Sequence, residues 1–375
     1  MTDRQAYLAF NLVDGVGFAT VAALVEKSGS VAAAWDGFPK KVSRTGGSVD
    51  WEGELRLADR YGVTIITPAD ADYPASLRQA PGAPLALYVK GDVRALSRPL
   101  VALVGTRRAT AYGRASANRL AYDLCKAGWG VVSGLALGID GEAHRGALDA
   151  GGVTVGVIGS GLDRFYPEEN RDLAREMVAK SGAVVSEFPF GRPPDRETFP
   201  IRNHVVAALA RGIVAVEAPR KSGTLITTGI AADLGRTVMA LPGRIDAPCS
   251  AGCLQLIRDG ATLVRHADDV IEAMSELFPA NSREPRDALR GHDRASGDLL
   301  RANDAATADP DTPRYSVEEA LVMLHVDGDG IAIDELARRT KLPVGRVNAL
   351  AMALRIKGFV RFLPGNRLAT IRPAP

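Results

Sequence analysis

Six short, almost continuously apolar runs divide the middle of the chain at intervals of roughly 25–30 residues. Longer stretches between them repeat apolar residues at helical spacing. Strands that are apolar along their whole length are typical of a parallel sheet covered by helices on both faces. The pattern therefore predicts an α/β fold with a doubly wound, mainly parallel sheet. The six predicted strands are RPLVALVG (98–105), WGVVSG (129–134), GVTVGVIG (152–159), GAVVSEF (182–188), GIVAVEA (212–218) and RTVMALPG (236–243), and two earlier runs that extend the sheet are GVTIITP (62–68) and LALYVKG (85–91).

The pattern changes on both sides of this region and predicts four segments. Residues 1–60 have the spacing of short helices, and residues 61–278 form the α/β region. Residues 279–314 contain only three leucines as large apolar residues, too few to offset the entropy lost on ordering, so we predict a linker. A polar surface helix over 284–303 is the alternative. Residues 315–375 return to a compact apolar pattern.

This last segment has the order of elements of a winged helix. Helices are predicted at SVEEALVMLHV, IAIDELARRT and PVGRVNALAMALRIKG, and two strands flank the turn in FVRFLPGNRLATI. The third helix then occupies the recognition position. From Leu336 to Pro375 there are nine Lys or Arg residues and no Asp or Glu, which favours contact with nucleic-acid phosphates. Contact with another protein, or regulation, is the alternative.

Two glycines lie between predicted helices near the N-terminus, in the stretch LVDGVG. This arrangement resembles a helix-hairpin-helix, in which backbone N–H groups can meet a DNA phosphate. The alternative is that Gly15 and Gly17 only shape the turn.

Composition narrows the class of protein without identifying a partner. The chain has 375 residues, with 46 Lys+Arg against 44 Asp+Glu and a formal net charge of +2. A hydrophobic fraction of 46% excludes wholesale disorder. Three cysteines and five scattered histidines predict no disulfide framework and no metal site. We also expect no cofactor. The sequence shows neither an apolar run that spans a bilayer nor a signal peptide, so we expect a cytoplasmic protein with no membrane partner.

The loops that follow the predicted strands carry the candidate chemistry. The carboxyl ends of parallel strands lie along one edge of an open sheet, where ligands bind. These loops combine glycines, which allow close approach, with helix N-termini and cationic side chains that suit phosphate. We therefore expect an anion site at this edge. The loops are residues 105–108, 133–140, 159–163, 199–204 and 221–224.

Catalytic candidates have weaker support. His144 near Asp140 is a candidate acid–base pair, but a hydrogen-bonded structural histidine is the commoner arrangement. Ser133 and Ser222 lie outside a GxSxG elbow, and Lys221 beside a Ser-Gly turn is suited to phosphate. The loops also lack a complete nucleotide fingerprint. We expect no enzymatic activity.

The loops resemble those of the bacterial DNA-processing protein A family, also called Smf. The matching stretches occur in order through residues 84–261: VGTRRATAYG, VVSGLALGIDGEAHRGAL, VIGSGLDRFYPEEN, SEFPFGRPP, FPIRNHVVAALA, VAVEAPRKSGTLIT and GRTVMALPG. The resemblance implies an extended Rossmann-like fold, an N-terminal module similar to a sterile-alpha-motif domain, and a homodimer formed through the Rossmann-like domain. It also implies binding of single-stranded DNA, protection of incoming DNA and loading of the RecA recombinase during natural transformation, without enzymatic activity.

The resemblance further identifies phosphate-binding residues. The family's pocket maps onto Gly105, Thr106, Arg107, Ser133, Gly134, Arg202, Asn203, Lys221, Ser222 and Gly223. Arg107 matches the arginine of the family's Gly-Ser-Arg motif, so Arg108 is the less suited contact. Thr106 replaces the usual serine and preserves the hydroxyl, whereas His204 stands where arginine is common and Leu254 replaces the usual asparagine or histidine.

Two other functions stay open at this point. The stretch SGTLITTGIAADLGRTVMALPG faintly resembles the glycine-rich loop of nucleotide phosphoribohydrolases, enzymes that need a carboxylate beside that loop. A winged-helix transcriptional regulator with a ligand-sensing central domain is the second, and it would prefer a duplex operator over single strands.

Overall fold

The computed structural model describes residues 1–39, 48–275, 317–328, 330–340, 342, 347, 350–351, 354, 359–363 and 367–370. The chain divides into two compact units, Met1–Ser296 and Gly297–Pro375, and each has its own apolar core. The predicted linker, 279–314, lies outside the described residues. The division of the chain into four segments stays a prediction.

The first unit alternates helices and strands after a helical start. Its helices are α1 (Asp3–Asn11), α2 (Phe18–Ser28), α3 (Val31–Asp36), α4 (Trp51–Tyr61), α5 (Ala75–Arg78), α6 (Ala111–Lys126), α7 (Ile139–Asp149), α8 (Arg171–Ala179), α9 (Thr198–Leu209), α10 (Gly223–Asp233), α11 (Ala251–Arg258) and α12 (Ala267–Ser275). Its strands are β1 (Thr64–Ile66), β2 (Leu87–Gly91), β3 (Leu100–Val104), β4 (Gly130–Ser133), β5 (Thr154–Val157), β6 (Ala183–Ser186), β7 (Gly212–Ala215), β8 (Thr237–Ala240) and β9 (Thr262–Leu263).

These nine strands form one sheet in the order β1-β2-β6-β5-β4-β3-β7-β8-β9. Strands β3 to β9 pair in parallel, and β1 and β2 join antiparallel at one edge. The chain starts the parallel part at β3 and winds outward in both directions, which confirms the predicted doubly wound, Rossmann-like fold. Each of the eight predicted runs contains a strand. Strand β9 was not predicted, because it has only two residues and both are exposed.

Residues of β3 alternate between two apolar cores, one on each face of the sheet. Leu100, Ala102 and Val104 pack in the core that includes α9. Val101 and Leu103 pack in the core that includes α6 and α7. Because side chains alternate along a strand and both faces are covered, every residue of β3 is buried. This is the physical reason for the continuously apolar pattern in the sequence.

The N-terminal helices pack against the antiparallel edge of the sheet. The side-chain amide of Asn11 donates to the main-chain oxygen of Glu187 at 3.3 Å. The buried carboxylate of Glu54 accepts from the N–H of Phe190 at 2.8 Å, and burial raises the pKa of Glu54. The glycines of the predicted helix-hairpin-helix lie in the turn between α1 and α2. DNA contact at this turn stays a prediction.

The second unit contains helices α13 (Val317–Met323) and α14 (Ile333–Thr340) and strands β10 (Ile331–Ala332), β11 (Val360–Leu363) and β12 (Arg367–Thr370). The strands form an antiparallel sheet in the order β10-β12-β11. The two later strands are those of the predicted hairpin, and β10 adds a third. Most of the predicted third helix, 343–358, lies outside the described residues. In the described parts of both units, each helix is too short or too polar to cross a membrane.

Helices α6 and α7 approach each other so closely that one position requires glycine. A Cβ atom at Gly146 would overlap the main-chain oxygen of Asn118. We predict that Gly146→Ala lowers the free energy of unfolding by about 1–3 kcal/mol, because main chain cannot move aside cheaply. Urea denaturation of the purified protein measures this change.

Gly229 in α10 is the matched control, because a Cβ atom there meets nothing within 4 Å. Gly229→Ala should raise the free energy of unfolding by about 0.5–1 kcal/mol through helix propensity. Equal effects of the two substitutions would contradict the close packing of α6 and α7.

Candidate functional site

A cavity of about 430 Å³ lies at the carboxyl ends of strands β3, β4 and β7. Strands β4 and β7 flank β3 in the sheet, so three loops that are distant in sequence meet there, and α9 contributes from the side. Nine of the ten residues predicted from the sequence line this cavity: Gly105, Thr106, Arg107, Gly134, Arg202, Asn203, Lys221, Ser222 and Gly223.

Ser133 is the predicted residue that does not line the cavity. Its side chain is fully buried, and its hydroxyl donates to the main-chain oxygen of Leu103 at 2.6 Å. This bond joins the end of β4 to β3. The geometry therefore gives Ser133 a supporting role below the loop, in place of the predicted phosphate contact.

The loop after β3 carries two exposed cations at the mouth of the cavity, Arg107 and Arg108. Thr106 shapes this loop, because its hydroxyl accepts from the N–H of Arg108 at 3.2 Å. The main-chain N–H of Thr106 donates to the oxygen of Glu217 at 2.8 Å. The guanidinium of Arg107 lies over the Phe199 ring, with its central carbon 4.9 Å from the ring centroid. The loop thus projects Arg107 toward the cavity alongside an aromatic face.

The loop after β4 adopts a strained conformation that other residues hold in place. Leu135 has a φ of 54°, in the left-handed region, and its side chain is fully buried. The side-chain amide of Asn170 donates to the oxygens of Leu135 and Ala136 at 3.0 Å each. Asn170 is itself buried, so this part of the cavity wall is held rigidly.

Arg202 connects α9 to the strand ends from a buried position. Only 6% of it is exposed, and its Nη1 donates to the main-chain oxygens of Gly134 and, at 2.5 Å, Val157. Its Nε donates to the side-chain oxygen of Asn203 at 3.1 Å. An arginine has five N–H donors. Among the contacts of the described residues, the Nη2 group therefore remains available to a ligand.

At the base of the cavity, the buried guanidinium of Arg202 and the buried carboxylate of Asp140 stabilise each other's charge. Burial lowers the pKa of Arg202 to about 10, Arg107 acts in the same direction, and Asp140 opposes the shift. Arg202 therefore keeps its charge at neutral pH. Burial also raises the pKa of Asp140, while Arg202 and hydrogen bonds from the loop oppose that change. One such bond comes from the N–H of Ala136 at 3.4 Å.

The N-terminus of α10 forms the third wall. Ser222 is the N-cap residue, but its side chain makes no capping bond, and its Oγ is buried without a hydrogen-bond partner among the described residues. The first N–H groups of a helix have no partner within the helix and carry partial positive charge. Together with the exposed cation of Lys221, this end of α10 suits an anionic ligand.

The surroundings of the three predicted glycines differ, and so does the explanation for glycine at each position. A Cβ atom at Gly105 would overlap the side chain of Ile139, and one at Gly134 would lie 2.5 Å from Nη1 of Arg202. Packing inside the protein therefore explains both. A Cβ atom at Gly223 meets nothing within 4 Å, so at this position the protein leaves open space beside the cavity.

Aromatic and apolar side chains continue the site along the same edge. A narrow groove beside the cavity is lined by Arg107, Phe199, Leu137 and Tyr166, among others. Tyr166 is 45% exposed and Leu137 is 38% exposed. The rings of Tyr166 and Phe199 are 6.2 Å apart between centroids. The edge therefore offers a cationic cavity next to faces on which a planar group can stack.

Both histidines considered in the sequence lie away from the cavity lining. His204 is half-buried, and its ring lies beside Gly82. His144 is fully buried, and its Nδ1 is 2.7 Å from Oγ1 of Thr154. Burial, and then Arg202, lower the pKa of His144 to about 3, so the ring stays neutral. This is the structural histidine that the sequence favoured.

Sequence reasoning missed several residues that shape the site. Phe199, Asn170 and Glu217 each contact a loop of the cavity. Phe199 lies in the predicted stretch 199–204, but only its cation and amide were expected to contribute, and Asn170 and Glu217 lie outside the predicted loops. Glu217 lies near the end of the apolar run GIVAVEA, which predicts a buried strand. A charged residue at the end of such a run is the signal that could have identified it. In the described parts of the chain, no cluster of three His, Cys, Asp or Glu side chains could hold a metal ion.

Comparison with known proteins relates both units to one family. The family model described as DNA recombination-mediator protein A matches residues 64–275, and the model described as the DprA winged helix domain matches residues 304–366. The protein Smf of Synechocystis sp. is 33% identical over 392 residues, which cover 97% of this chain and 98% of that protein. The DNA processing protein DprA of Bacillus subtilis is 39% identical over 216 residues, which cover 57% of this chain and 72% of that protein.

Two solved structures share the architecture. The X-ray structure of DNA processing protein A from Streptococcus pneumoniae matches with a TM-score of 0.61 and 32% identity, over 72% of this chain and 98% of that one. DNA processing protein A from Helicobacter pylori, described for its single-stranded DNA binding mode, matches with a TM-score of 0.51 and 29% identity, over 58% and 96% of the two chains. The winged-helix match also confirms the predicted class of the second unit.

The neutral, buried state of His144 predicts a pH dependence of stability. Its pKa of about 3 in the folded protein lies below the ordinary histidine pKa of 6.5, so the unfolded chain binds more protons between these values and stability falls as the pH drops through this window. Between pH 7 and pH 5, protonation of this histidine in the unfolded chain should lower the free energy of unfolding by about 2 kcal/mol. Urea unfolding of the wild type and of His144→Gln at both pH values should show a smaller loss for the variant. The same loss in both proteins would contradict a neutral His144.

Proposed function

Because the chain belongs to the DNA recombination-mediator protein A family, we propose that it binds single-stranded DNA through the cavity at the carboxyl edge of its sheet. We further propose that it protects incoming DNA and loads the RecA recombinase onto it during natural transformation. A cytoplasmic location is part of this proposal. The single-stranded DNA binding mode described for the Helicobacter pylori relative supports the choice of ligand.

One observation carries this proposal: cations and aromatic faces meet at a single edge. Arg107, Arg202 and Lys221 line the same cavity, and Phe199 lies between that cavity and the groove with Tyr166. A nucleic-acid strand presents alternating phosphates and bases. Cations and helix N–H groups hold the former, and aromatic rings stack on the latter.

The same arrangement favours single strands over duplexes. A base can stack on Tyr166 or Phe199 only if its face is free, and in a duplex the neighbouring base pairs cover both faces. The contacts available in the cavity are to phosphate, which carries no base identity. We therefore expect binding that depends strongly on salt and weakly on sequence.

We propose that the protein is a binding protein and not an enzyme. Asp140 is the carboxylate that lines the cavity, and it accepts a hydrogen bond from the loop while balancing the charge of Arg202. A phosphoribohydrolase would need a carboxylate free to act on the ribosyl group. Incubation with nucleoside monophosphates should therefore release no free base, and release of base would revive the enzyme alternative.

A homodimer through the Rossmann-like domain is also part of the proposal, and the β9 edge of the sheet supports it. Strand β9 is the outermost strand, and Leu263 on it is 43% exposed. A cavity of about 990 Å³ lies beside it. In that cavity, Nε of Arg236 and Oγ1 of Thr237 are buried and make no hydrogen bond within the described residues. A second copy of the chain would supply apolar cover for Leu263 and for the cavity beside it.

The terminal segments have supporting roles in this proposal. The basic C-terminal stretch from Leu336 to Pro375 adds positive charge for phosphates, or a surface for another protein. The affinity of residues 61–278 alone for single-stranded DNA, compared with that of the full chain, separates the contribution of the terminal segments from that of the cavity.

We predict that Arg107→Ala weakens binding of single-stranded DNA by about tenfold, similarly for oligonucleotides of different sequence, because one charged phosphate contact is lost. Lys221→Ala should act in the same way. The slope of log affinity against log salt should also fall by about 0.7 for each phosphate contact removed. Fluorescence anisotropy with labelled oligonucleotides over a salt series measures both quantities.

Arg119→Ala is the matched control, because Arg119 is an exposed arginine on α6 that pairs with Asp123 and does not line the cavity. The affinity of Arg119→Ala for single-stranded DNA, and the slope of log affinity against log salt, should equal those of the wild type. If all three variants bind like the wild type, DNA does not occupy this cavity.

We predict that Leu263→Arg separates the proposed dimer. The wild type should sediment at twice the chain mass of 39.6 kDa, and the variant at the mass of one chain, because a buried unpaired charge is unfavourable at an apolar interface. Leu137→Arg is the control, because Leu137 is an exposed leucine that lines the groove and not the cavity beside β9, and this variant should remain dimeric. A monomeric wild type, or a dimeric Leu263→Arg variant, would contradict this part of the proposal.

A further inference from the structure

Glu217 is a buried carboxylate in the loop that follows β7, next to the proposed phosphate cavity. Only 2% of the residue is exposed. Its Oε2 accepts from the N–H of Thr110 at 2.9 Å, and its Oε1 accepts from the Thr110 hydroxyl at 2.5 Å. Its main-chain oxygen accepts from the N–H of Thr106 at 2.8 Å. One residue therefore holds both ends of the loop that carries Arg107.

The buried carboxylate of Glu217 lies next to the proposed phosphate cavity, so a negative charge there disfavours binding of an anionic ligand. A carboxylate repels phosphate, and removing it from water carries a further penalty unless its oxygens are hydrogen-bonded. The arrangement therefore calls for a compensating structural effect. The two bonds from Thr110 to the carboxylate supply it, because together with the main-chain bond from Thr106 they fix the position of the four peptide bonds between these two threonines.

The first turn of α6 is built around the same carboxylate. Thr110 is the N-cap residue of α6, and its Oγ1 accepts from the N–H of Gly113 at 3.1 Å while its hydroxyl donates to Glu217. A Cβ atom at Gly113 would overlap the carboxyl group of Glu217. Glycine at this position makes room for the carboxylate, so the loop and the helix start are set together.

We propose that Glu217 is a positioning residue for Arg107: it clamps the loop between Thr106 and Thr110 so that the guanidinium is held where a DNA phosphate binds. This inference rests on the proposed function, since it assumes that Arg107 contacts phosphate. A loop fixed before the ligand arrives loses less conformational entropy on binding. The contact of Arg107 with Phe199 then sets the direction of the side chain.

The substitution Glu217→Gln distinguishes a positioning role of this residue from a purely electrostatic effect of its charge on DNA binding. The substitution keeps the shape of the side chain and removes a negative charge near the cavity. If charge alone mattered, DNA would bind more tightly. If Glu217 positions the loop, DNA binds more weakly, because a glutamine nitrogen can only donate, so its bond with the Thr110 hydroxyl must reverse, and both bonds to Thr110 lose the strength that a charged acceptor gives them. The two accounts predict changes of opposite sign.

The experiment measures the affinity of the full chain for a labelled oligothymidylate by anisotropy over a salt series. The proteins are the wild type, Glu217→Gln, Arg107→Ala and the double variant. We expect Glu217→Gln to bind about tenfold more weakly, with a smaller salt slope. The double variant should bind no more weakly than Arg107→Ala alone, because both substitutions remove the same contact.

Glu176→Gln on α8 is the charge-matched control, since Glu176 is an exposed residue paired with Lys180, and it should leave affinity unchanged. A second pair covers the case in which Glu217→Gln does not fold. Thr110→Val loses the hydroxyl bond to Glu217, Thr110→Ser keeps it, and the valine variant should bind more weakly than the serine variant.

The outcomes separate this inference from the proposed function. Equal or tighter binding by Glu217→Gln, or losses that multiply in the double variant, overturns the positioning role while a weakened Arg107→Ala leaves DNA binding at the cavity intact. Unchanged affinity of Arg107→Ala overturns both. For the second pair, equal affinity of the two Thr110 variants overturns the positioning role.

Discussion

The buried guanidinium of Arg202 lies where strands β4 and β5 end, and the surrounding loops are organised around it. Its Nη1 donates to the main-chain oxygens of Gly134 and Val157, so a single side chain joins α9 to the carboxyl ends of β4 and β5. Position 134 must lack a Cβ atom because the guanidinium lies against it. A buried charge without compensation is strongly destabilising, and Asp140 supplies the opposite charge. The site therefore depends on a cation that is part of the fold before any ligand binds.

The remaining cations at the cavity are then free for a ligand. Arg107, Arg108 and Lys221 are exposed and line the same cavity, whereas Asp140 is the carboxylate in its lining. The near-neutral total charge of the chain gives no indication of this local excess. A small number of phosphate contacts also gives reversible, salt-sensitive binding.

The sequence was sufficient for the fold and for three of the five predicted loops, 105–108, 133–140 and 221–224, which contribute residues to the cavity lining. Residues 199–204, expected just before a helix, lie inside α9, and residues 159–163 lie outside the cavity lining. Parallel strands buried on both faces have a distinctive apolar pattern, and the rule that ligands bind at the carboxyl edge selects the loops. Spacing alone does not show which way a side chain points at the end of a strand. Ser133 accordingly turned out to bond to Leu103 inside the sheet, away from the cavity.

Long-range contacts explain the other differences. Gly105 and Gly134 were interpreted as glycines for ligand approach, but Ile139 and Arg202 occupy the space beside them. Glu217 bonds to Thr110, which is 107 positions away in the sequence, so no local pattern indicates the pair. Strand β9 exists only because β8 lies next to it. In each case the partner is brought close by the folded sheet and not by neighbouring sequence.

The most direct test of the account is photo-cross-linking of the full chain to an oligonucleotide that contains 5-iodouracil, followed by mass spectrometry of the linked peptides. Binding at this edge of the sheet should give cross-links at the exposed Tyr166 or the half-buried Phe199, which lie beside the phosphate cavity. These cross-links should disappear when unlabelled single-stranded DNA competes and persist when duplex DNA competes at the same concentration. Cross-links confined to residues 1–60 or 315–375 would show that DNA binds elsewhere and would contradict the central claim.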